Sequence, residues 1–371
     1  MVTNFTDYYR ELAPLDVLLA DDSISEIMVN GNEQIYTEVA GKIRESDVKF
    51  PDKESLLRVI KLLGDKVGRT IDSAQPLLDA RMLDGSRVNA VIEPVSVGGP
   101  TLTIRKFARN PLTASDLLNA GTFTPAAMGF LEAAVASRLN ILVSGGASSG
   151  KTTLLNVLSG FIPSSERIVT IEDTAELQLK QKHVVKLEAR QTPDPGEARI
   201  EIRDLVINAL RMRPDRIIVG ECRGGEAMDM LQAMNTGHDG GMTTLHANTP
   251  RDTITRLETM ALMSGLSLPL LSVRRQIVSA IHLIVQTARL RDGSRRVIKI
   301  VEVIGMEGEV VTTQDVFEFV TLGTDAEGRT LGELQPRGVR PRMLTKMNEA
   351  GIQYPEAVEK IWPSRPIGRR R

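Results

Sequence analysis

The sequence predicts an α/β protein, a mostly parallel sheet wrapped by helices and preceded by a smaller α+β domain. Three observations predict it. Beyond Pro111, short apolar runs alternate with helical segments of about ten to fifteen residues, the pattern of βαβ units. Residues 145–152 read Gly145-Gly146-Ala147-Ser148-Ser149-Gly150-Lys151-Thr152, a complete G-x-x-x-x-G-K-[ST] loop between an apolar run and a helical one. The 371 residues exceed one ordinary domain, so at least two are expected.

Residues 1–20 read as an N-terminal tail or the stump of a helix. Residues 21–107 read as the α+β domain, with strands at Glu26–Val29, Gln34–Val39, Arg87–Ile92 and Thr101–Ile104. Its helix starts near Asp52, capped by Asp52 or Ser55, and ends at Gly68. That helix places Leu56, Ile60, Leu63 and Val67 on one face. Val97-Gly98-Gly99-Pro100 reads as a hairpin loop. A linker is expected at 108–112. In the second domain, 113–320, the parallel strands are Asn140–Ser144, Arg167–Ile171, Arg216–Gly220, Met242–Leu245 and His282–Gln286. Two runs, Arg296–Ile304 and Glu309–Phe319, extend the sheet at its edge as antiparallel strands. Residues 321–371 turn polar and Gly/Pro-rich and end on Arg369-Arg370-Arg371, a C-terminal appendage.

Composition narrows the function classes. Forty-six basic residues against forty-seven acidic ones leave a net charge of −1, which argues against a protein that wraps nucleic acid over its whole surface. Aromatics at 4% argue against stacking platforms for single strands. One cysteine excludes an intramolecular disulfide framework and a multi-cysteine zinc site, and fits a reducing cytoplasm. No run approaches eighteen consecutive apolar residues, and the first residues lack a signal-peptide pattern, so neither a transmembrane helix nor a signal peptide is expected.

The loop is built for phosphate. Its glycines let backbone N–H groups turn inward, and the helix N-terminus adds its positive dipole end. Lys151 would neutralise β/γ-phosphate charge, Thr152 would give a hydroxyl to Mg²⁺, and Thr153 continues the first helical turn. Carboxylates are then needed nearby. Arg216–Glu221 is an apolar strand ending in an acid, the Walker B arrangement with Gly220 in the usual Asp position. Glu221 is therefore expected to polarise the attacking water, to act on Mg²⁺ through a water, or both. Glu172, Asp173 and Glu176 follow another strand end and could replace the missing Asp. Equally, they read as a capped helix start, with Asp173 or Thr174 as the cap. His246 ends the next strand, where it could sense the γ-phosphate or orient water. His238 follows Gly237, a helix C-cap signal, and could reach a neighbouring loop. His183 and His282 read as surface and strand residues.

Developing phosphoryl charge can also be met by arginines from another domain or subunit. Arg87 and Arg105 on first-domain strands, and Arg203, Arg211 and Arg213 on the helix before the Walker B strand, are candidates, with ordinary salt bridges the competing reading. Cys222 reads as a buried small residue. Met228, Leu231 and Met234 share one helix face, which is core packing.

These residues resemble the secretion ATPases of type II and type IV secretion and pilus assembly, most closely the CpaF-type ATPase of the Tad/Flp (tight adherence) pilus. The family's phosphate loop, GGTGSGKTT, is matched by GGASSGKTT. Its Asp box is matched by TIEDTAEL with Glu172, Asp173 and Glu176. Its Walker B with Gly before the catalytic Glu is matched by RMRPDRIIVGE, and its His box by TGHDGGMTTLHAN with His238 and His246. SEIMVNG, DARMLDGSRVNAV, LTIRKF and RLRDGSRRV carry the likeness from about Glu26 through Phe319.

The resemblance implies a RecA-like P-loop NTPase core with a smaller N-terminal α+β domain, and ATP with Mg²⁺ between the two. It implies a homohexameric ring that works peripherally at the inner face of the cytoplasmic membrane, moving pilin through inner-membrane platform proteins. Lys151, Glu221, Glu172 and His246 then take catalytic roles. The nucleotide is held by Gly145 to Thr153, His238, Arg87 and Arg105, the two arginines closing on phosphate from the same or an adjacent subunit. The metal falls to Thr152, Asp173, Glu176 and Glu221. Two positions depart from the pattern: Ala147 and Ser148 stand where the family carries Thr and Gly, and a serine restricts φ where glycine does not. The stretch ahead of the first domain is short beside the helical extension of many relatives. A nucleic-acid motor, to be revived by DNA or RNA stimulation, and a nucleotide-binding scaffold without turnover are the competing classes.

Overall fold

The structure, a computed structural model, describes residues 9–107, 110–190 and 198–363. Part of the expected linker, the first eight residues and the terminal arginines lie outside the described residues. The chain divides into two compact units, Met1–Pro111 and Leu112–Arg371.

The first unit runs α1 (Asp16–Ala20), β1 (Ile24–Asn30), β2 (Gln34–Val39), β3 (Lys42–Glu45), α2 (Lys53–Lys66), β4 (Leu77–Arg81), β5 (Arg87–Val91) and β6 (Thr101–Arg105). Its strands form one antiparallel sheet in the order β3-β2-β1-β6-β5-β4. Alternation explains the inner face: Ile27, Val29, Val88, Ala90, Leu102 and Ile104 are buried with Leu56, Ile60 and Leu63 of α2. Asp52 caps α2 by accepting the Ser55 N–H at 2.7 Å, satisfying a donor that the helix start leaves orphaned. β3 escaped the sequence reading because all four of its residues are exposed, so no alternation marks it.

Of the two readings of the first twenty residues, the helix stump holds at α1, while a loose tail is corrected over residues 9–20. Tyr9, Leu12, Leu15 and Leu19 are buried in the first unit's core, and the Tyr9 hydroxyl donates to Asp84 at 2.5 Å. The spacing of Leu12, Leu15 and Leu19 is that of a helical stripe, but the helix is too short to show a periodicity.

The second unit runs α3 (Ala114–Asn119), α4 (Pro125–Ala136), β7 (Ile141–Gly145), α5 (Lys151–Ser159), β8 (Ile168–Glu172), β9 (Val184–Glu188), α6 (Ile202–Ala209), β10 (Arg216–Val219), α7 (Glu226–Asn235), β11 (Met242–His246), α8 (Pro250–Leu262), α9 (Leu270–Ala280), β12 (Leu283–Arg289), β13 (Arg295–Glu307), β14 (Val310–Thr324), β15 (Thr330–Pro336), α10 (Met343–Glu349) and α11 (Glu356–Ile361). Nine strands form one sheet in the order β15-β14-β13-β12-β7-β11-β10-β8-β9. The six from β12 to β9 are mutually parallel, and β13, β14 and β15 add on antiparallel. Apolar residues on both faces explain the near-continuous hydrophobic runs of β7, β8 and β10. One core joins α3, α4 and α5 to the sheet, and another joins α7, α8 and α9. Met228, Leu231 and Met234 are buried in the second of these.

Residues 321–363 are integral to this unit, which corrects the expected appendage. β14 continues to Thr324, β15 pairs with it, and Met343, Leu344, Met347, Val358 and Trp362 are buried in the first core. Trp362 packs edge-on against Phe317 at 5.5 Å between ring centroids and lies 6.2 Å from Phe130. Buried Glu302 accepts the backbone N–H groups of Arg342 and Met343 at 2.9 and 2.7 Å, which satisfies the start of α10. Polar stretches hid this packing from the sequence reading.

No helix follows β8. Residues 173–183 form an irregular crossover that leads to the parallel edge strand β9, so the capped-helix reading of Asp173 and Thr174 is also corrected. Among the described residues, no helix is long and apolar enough to cross a membrane.

Candidate active site

The carboxyl ends of β7, β8, β10 and β11 lie along one edge of the parallel sheet, the edge where open α/β sheets bind ligands. β7 sits between β11 and β12, with Gly145 in register with His246 on one side and Thr287 on the other. Gly145 has no room for a side chain: a Cβ there would lie 2.3 Å from Thr287 Oγ1 and 2.4 Å from Ser149 Oγ. Those two hydroxyls are 2.8 Å apart, and Thr287 Oγ1 donates on to the Ser144 carbonyl at 3.0 Å. The base of the phosphate loop is thereby stitched to β12.

Lys151 begins α5, is buried, and donates from Nζ to the Gly146 carbonyl at 2.8 Å. The ammonium bridges its own loop, which holds it beside the inward-facing backbone until phosphate competes for it. Thr152 and Thr153 are half-buried on the same first turn, and Ala147 and Ser148 are exposed at the loop's crest. Ser148 has φ of +54°, beside Gly150 at +92°. The family's glycine at 148 is thus replaced by a residue held in the left-handed region at a steric cost. Arg295, from the start of β13, donates from Nε to the Ser148 carbonyl at 2.9 Å.

Glu221 lies two residues past β10, where the Thr244 hydroxyl donates to the Gly220 carbonyl at 2.7 Å and Cys222 N–H bonds the Thr244 carbonyl. Both Glu221 oxygens are engaged. Oε1 meets His246 Nδ1, and Oε2 accepts Arg223 Nε at 2.7 Å. A carboxylate can only accept, so Nδ1 carries the imidazole proton and a neutral ring offers Nε2 as an acceptor. Arg223 Nη1 also stands 3.4 Å from Asp173 Oδ2, which links the acid after β10 to the acid after β8. Burial works against the Arg223 charge, but the bond to Glu221 and the charges of Glu221 and Asp173 hold its pKa above the ordinary value.

Glu172, the last residue of β8, is buried. Oε1 accepts the Glu176 and Leu177 N–H groups at 3.0 Å each, while Oε2 is buried with no partner among the described residues. Burial pushes its carboxyl up to about 7, against the pull of those two N–H bonds. A Cβ on Gly220 would fall 2.8 Å from Glu172 Cγ and 3.3 Å from its Oε1. Gly220 is glycine because the neighbouring strand's carboxyl group fills the space that a Walker B aspartate side chain would need.

The structure thus gathers the phosphate loop, Glu172, Glu221 and His246 on one edge, with Asp173 tied in through Arg223. Glu176 contributes its backbone N–H to Glu172. His238 precedes β11, whereas His246 ends it, so the length of a strand separates it from the phosphate loop of the same chain. Its backbone N–H bonds the Ala233 carbonyl beyond α7, with Gly237 at φ +98°, a helix-terminating arrangement. Arg87 and Arg105 are cross-strand partners in the first unit, and Arg81 on β4 pairs with Arg87, so three arginines form one row. Arg203 lies on α6 and pairs with Asp229 at 2.8 Å, but the expected helical placement of Arg211 and Arg213 is corrected, because α6 ends at Ala209. His282 is half-buried, and its pKa is pulled down to about 4 by desolvation and by Lys346; it accepts the Asn140 N–H at 2.9 Å. Buried Cys222 has its thiol pushed up by desolvation and by Glu226.

Arg223, Arg295 and Thr287 were not singled out by sequence reasoning. Arg223 stands two residues from Glu221 and Arg295 lies in RLRDGSRRV, but nothing local says which of many arginines turns inward. No group of three His, Cys, Asp or Glu side chains is arranged to hold a metal among the described residues. The donors still fit magnesium, which binds through one or two carboxylates plus phosphate oxygens and water instead of a protein cage. Glu221 and Asp173 are hard oxygen donors already sharing a stand-in cation, the Arg223 guanidinium.

A phosphate loop at the carboxyl edge of a parallel sheet, with acids on neighbouring strand ends, defines a nucleotide-binding P-loop protein. The profile of the family described as Type II/IV secretion system protein matches residues 9–323, and the chain belongs to that family, within the type II/IV secretion ATPase superfamily. An uncharacterized protein of Methanocaldococcus jannaschii is 48% identical over 239 residues, which are 62% of this chain but 33% of that protein's length. A putative conjugal transfer protein of Mycobacterium tuberculosis is 37% identical over 302 residues, covering 80% of this chain and 85% of that one. The solved ATPase DotB of Legionella pneumophila is similar at a TM-score of 0.55 and 22% identity, covering 82% of this chain and 81% of that one, a likeness of fold.

Proposed function

We propose that this protein hydrolyses ATP as a homohexameric motor that drives a secretion or pilus-assembly machine from the cytoplasmic face of a membrane. The observation that carries the reading is the Glu221 carboxylate, hydrogen-bonded to His246 on the same sheet edge as the phosphate loop. Backbone N–H groups of 145–152 and the start of α5 bind the phosphates, and Lys151 exchanges the Gly146 carbonyl for phosphate oxygens. Thr152, Glu221 and Asp173 would hold magnesium, which supplies charge neutralisation of the transferring phosphoryl group when bound. Glu221 accepts a proton from the attacking water, and His246 fixes the carboxylate's direction through Nδ1. Glu172 stands in for the Walker B aspartate from the adjacent strand. Arg87 and Arg105 meet phosphate charge from the same or a neighbouring subunit.

Phosphate release by the purified chain, with its mass in solution, tests this. Lys151→Ala and Glu221→Gln are each expected to lower kcat by about 10²–10⁴-fold, the range for loss of a charge clamp or a general base. Wild-type turnover in Glu221→Gln would sink the role given to that residue, and tight ATP binding without phosphate release would support a scaffold instead. The finer reading, a Tad/Flp-type pilus motor acting through an inner-membrane platform protein, rests on the motif resemblance. The conjugal-transfer description of the mycobacterial relative supports a second reading, a conjugation-type secretion machine. A Lys151→Ala strain that loses surface pili but keeps plasmid transfer favours the first; the reverse favours the second.

A further inference from the structure

Glu221 and Asp173 share a cation that belongs to the protein itself. Arg223 Nε donates to Glu221 Oε2 at 2.7 Å, and its Nη1 stands 3.4 Å from Asp173 Oδ2. The Arg223 side chain is 58% exposed, against 18% for Glu221 and 23% for Asp173. The cation is therefore the solvent-facing member of the cluster and can swing out without unpacking the core. Exposed ion pairs of this kind are weakly held.

We propose that Arg223 is a resident counter-ion that keeps the place of the divalent cation between Glu221 and Asp173 until magnesium enters with the nucleotide. This rests on reading the phosphate loop and Glu221 as an ATPase site. A hard divalent ion is held by carboxylate oxygens, and here Glu221 Oε2 and Asp173 Oδ2 face a guanidinium. One cation has to leave for the other to bind. While the metal is absent, Arg223 keeps two acids from repelling each other and holds Glu221 Oε2 in one direction, while His246 holds Oε1. It is a positioning residue, and it makes metal entry a competition between two cations.

The test is Mn²⁺ binding to the full chain, followed by electron paramagnetic resonance, without nucleotide and with a non-hydrolysable ATP analogue. Arg223→Gln removes the charge at similar length, Arg223→Ala removes it outright, and Arg223→Lys keeps it. Both neutral variants are expected to bind Mn²⁺ about tenfold more tightly than the wild type in both buffers, the scale of one nearby charge in a partly solvated site. The Lys variant stays within about twofold of the wild type. Metal-free binding of a fluorescent ATP analogue is not tightened in any variant, because a phosphate anion gains nothing from losing a cation. Mn²⁺ affinity equal to or weaker than wild type in both neutral variants overturns the proposal. A general loosening of the site would weaken metal and nucleotide together, and that outcome also counts against it. A wild-type chain that bound no nucleotide would instead sink the ATPase reading, and the nucleotide-free Mn²⁺ ratio would still decide the role of Arg223.

Discussion

At the amino edge of the nine-stranded sheet, fully buried Arg216 donates to Glu166 at 2.5 Å, to the Val135 carbonyl at 2.9 Å and to the Gly240 carbonyl at 3.3 Å. Asn140 beside it donates to Ala280 and accepts the N–H groups of Gly240 and Gly241 at 2.7 and 2.9 Å. At the carboxyl edge, Glu172 is similarly buried, yet one of its oxygens has no partner among the described residues, Ser148 is held at positive φ, and Gly220 is jammed against a carboxyl group. Both edges carry buried ionisable side chains: Arg216 at the amino edge is fully engaged, whereas Glu172 at the carboxyl edge keeps one oxygen without a partner among the described residues. A buried ion with its partners matched fixes a fold, whereas a buried carboxyl oxygen left without one is a group that a ligand can complete.

The contrast can be broken most severely at the satisfied edge. Arg216→Ala leaves Glu166 without its buried partner and is expected to cost about 3–5 kcal/mol in urea unfolding, while the fraction still folded at low temperature keeps its ATPase rate within a few-fold. A loss of rate without loss of stability would show that the amino edge is functional after all. Next comes Gly220→Ala. The added methyl meets Glu172 Cγ at 2.8 Å, so overpacking of about 1–3 kcal/mol is expected together with a slower kcat as Glu172 is displaced.

Glu172→Gln sharpens the comparison through pH. Its carboxyl titrates near 4.5 in the unfolded chain and at about 7 in the folded one, so the native state holds the proton more tightly. Its contribution to stability is complete below pH 4.5 and is lost as pH rises through 7, at a slope of at most about 1.4 kcal/mol per pH unit. The Gln variant removes that slope. His282 acts in the opposite direction, its contribution present above about 6.5 and lost as pH falls through about 4, and it cancels when the variant is compared with the wild type. Unfolding midpoints between pH 5 and 8 that run parallel in the two proteins would refute the assignment. The smallest effect is expected from Ser148→Gly. It relieves the left-handed strain and should raise the melting temperature by an amount equivalent to about 1 kcal/mol.

How much was legible depended on how local the signal was. The phosphate loop is eight adjacent residues whose roles follow from their own order, and Asp52 caps its helix through a contact only three residues along the chain. Glu221 and His246 could be placed because each follows a strand recognisable by itself. His238 and His246 fall in one short motif, and the strand between them carries the two to opposite edges of the sheet. Asp173 looked like a cap and proved to be the far end of an arginine bridge.

By itself the sequence determined the chemistry available: a phosphate-binding loop, an acid past a strand end, and the alternation that makes a parallel sheet. These are set by contiguous residues, where propensity and periodicity act. Only the tertiary structure decided which groups meet. It filled the missing aspartate's space at Gly220 with a carboxyl group from β8, tied Arg223 across Glu221 and Asp173, and buried Tyr9, Leu12, Leu15 and Leu19 in one core and Met343, Leu344, Met347, Val358 and Trp362 in another. Contacts between residues far apart in the chain depend on strand order and register, which no short stretch of residues encodes.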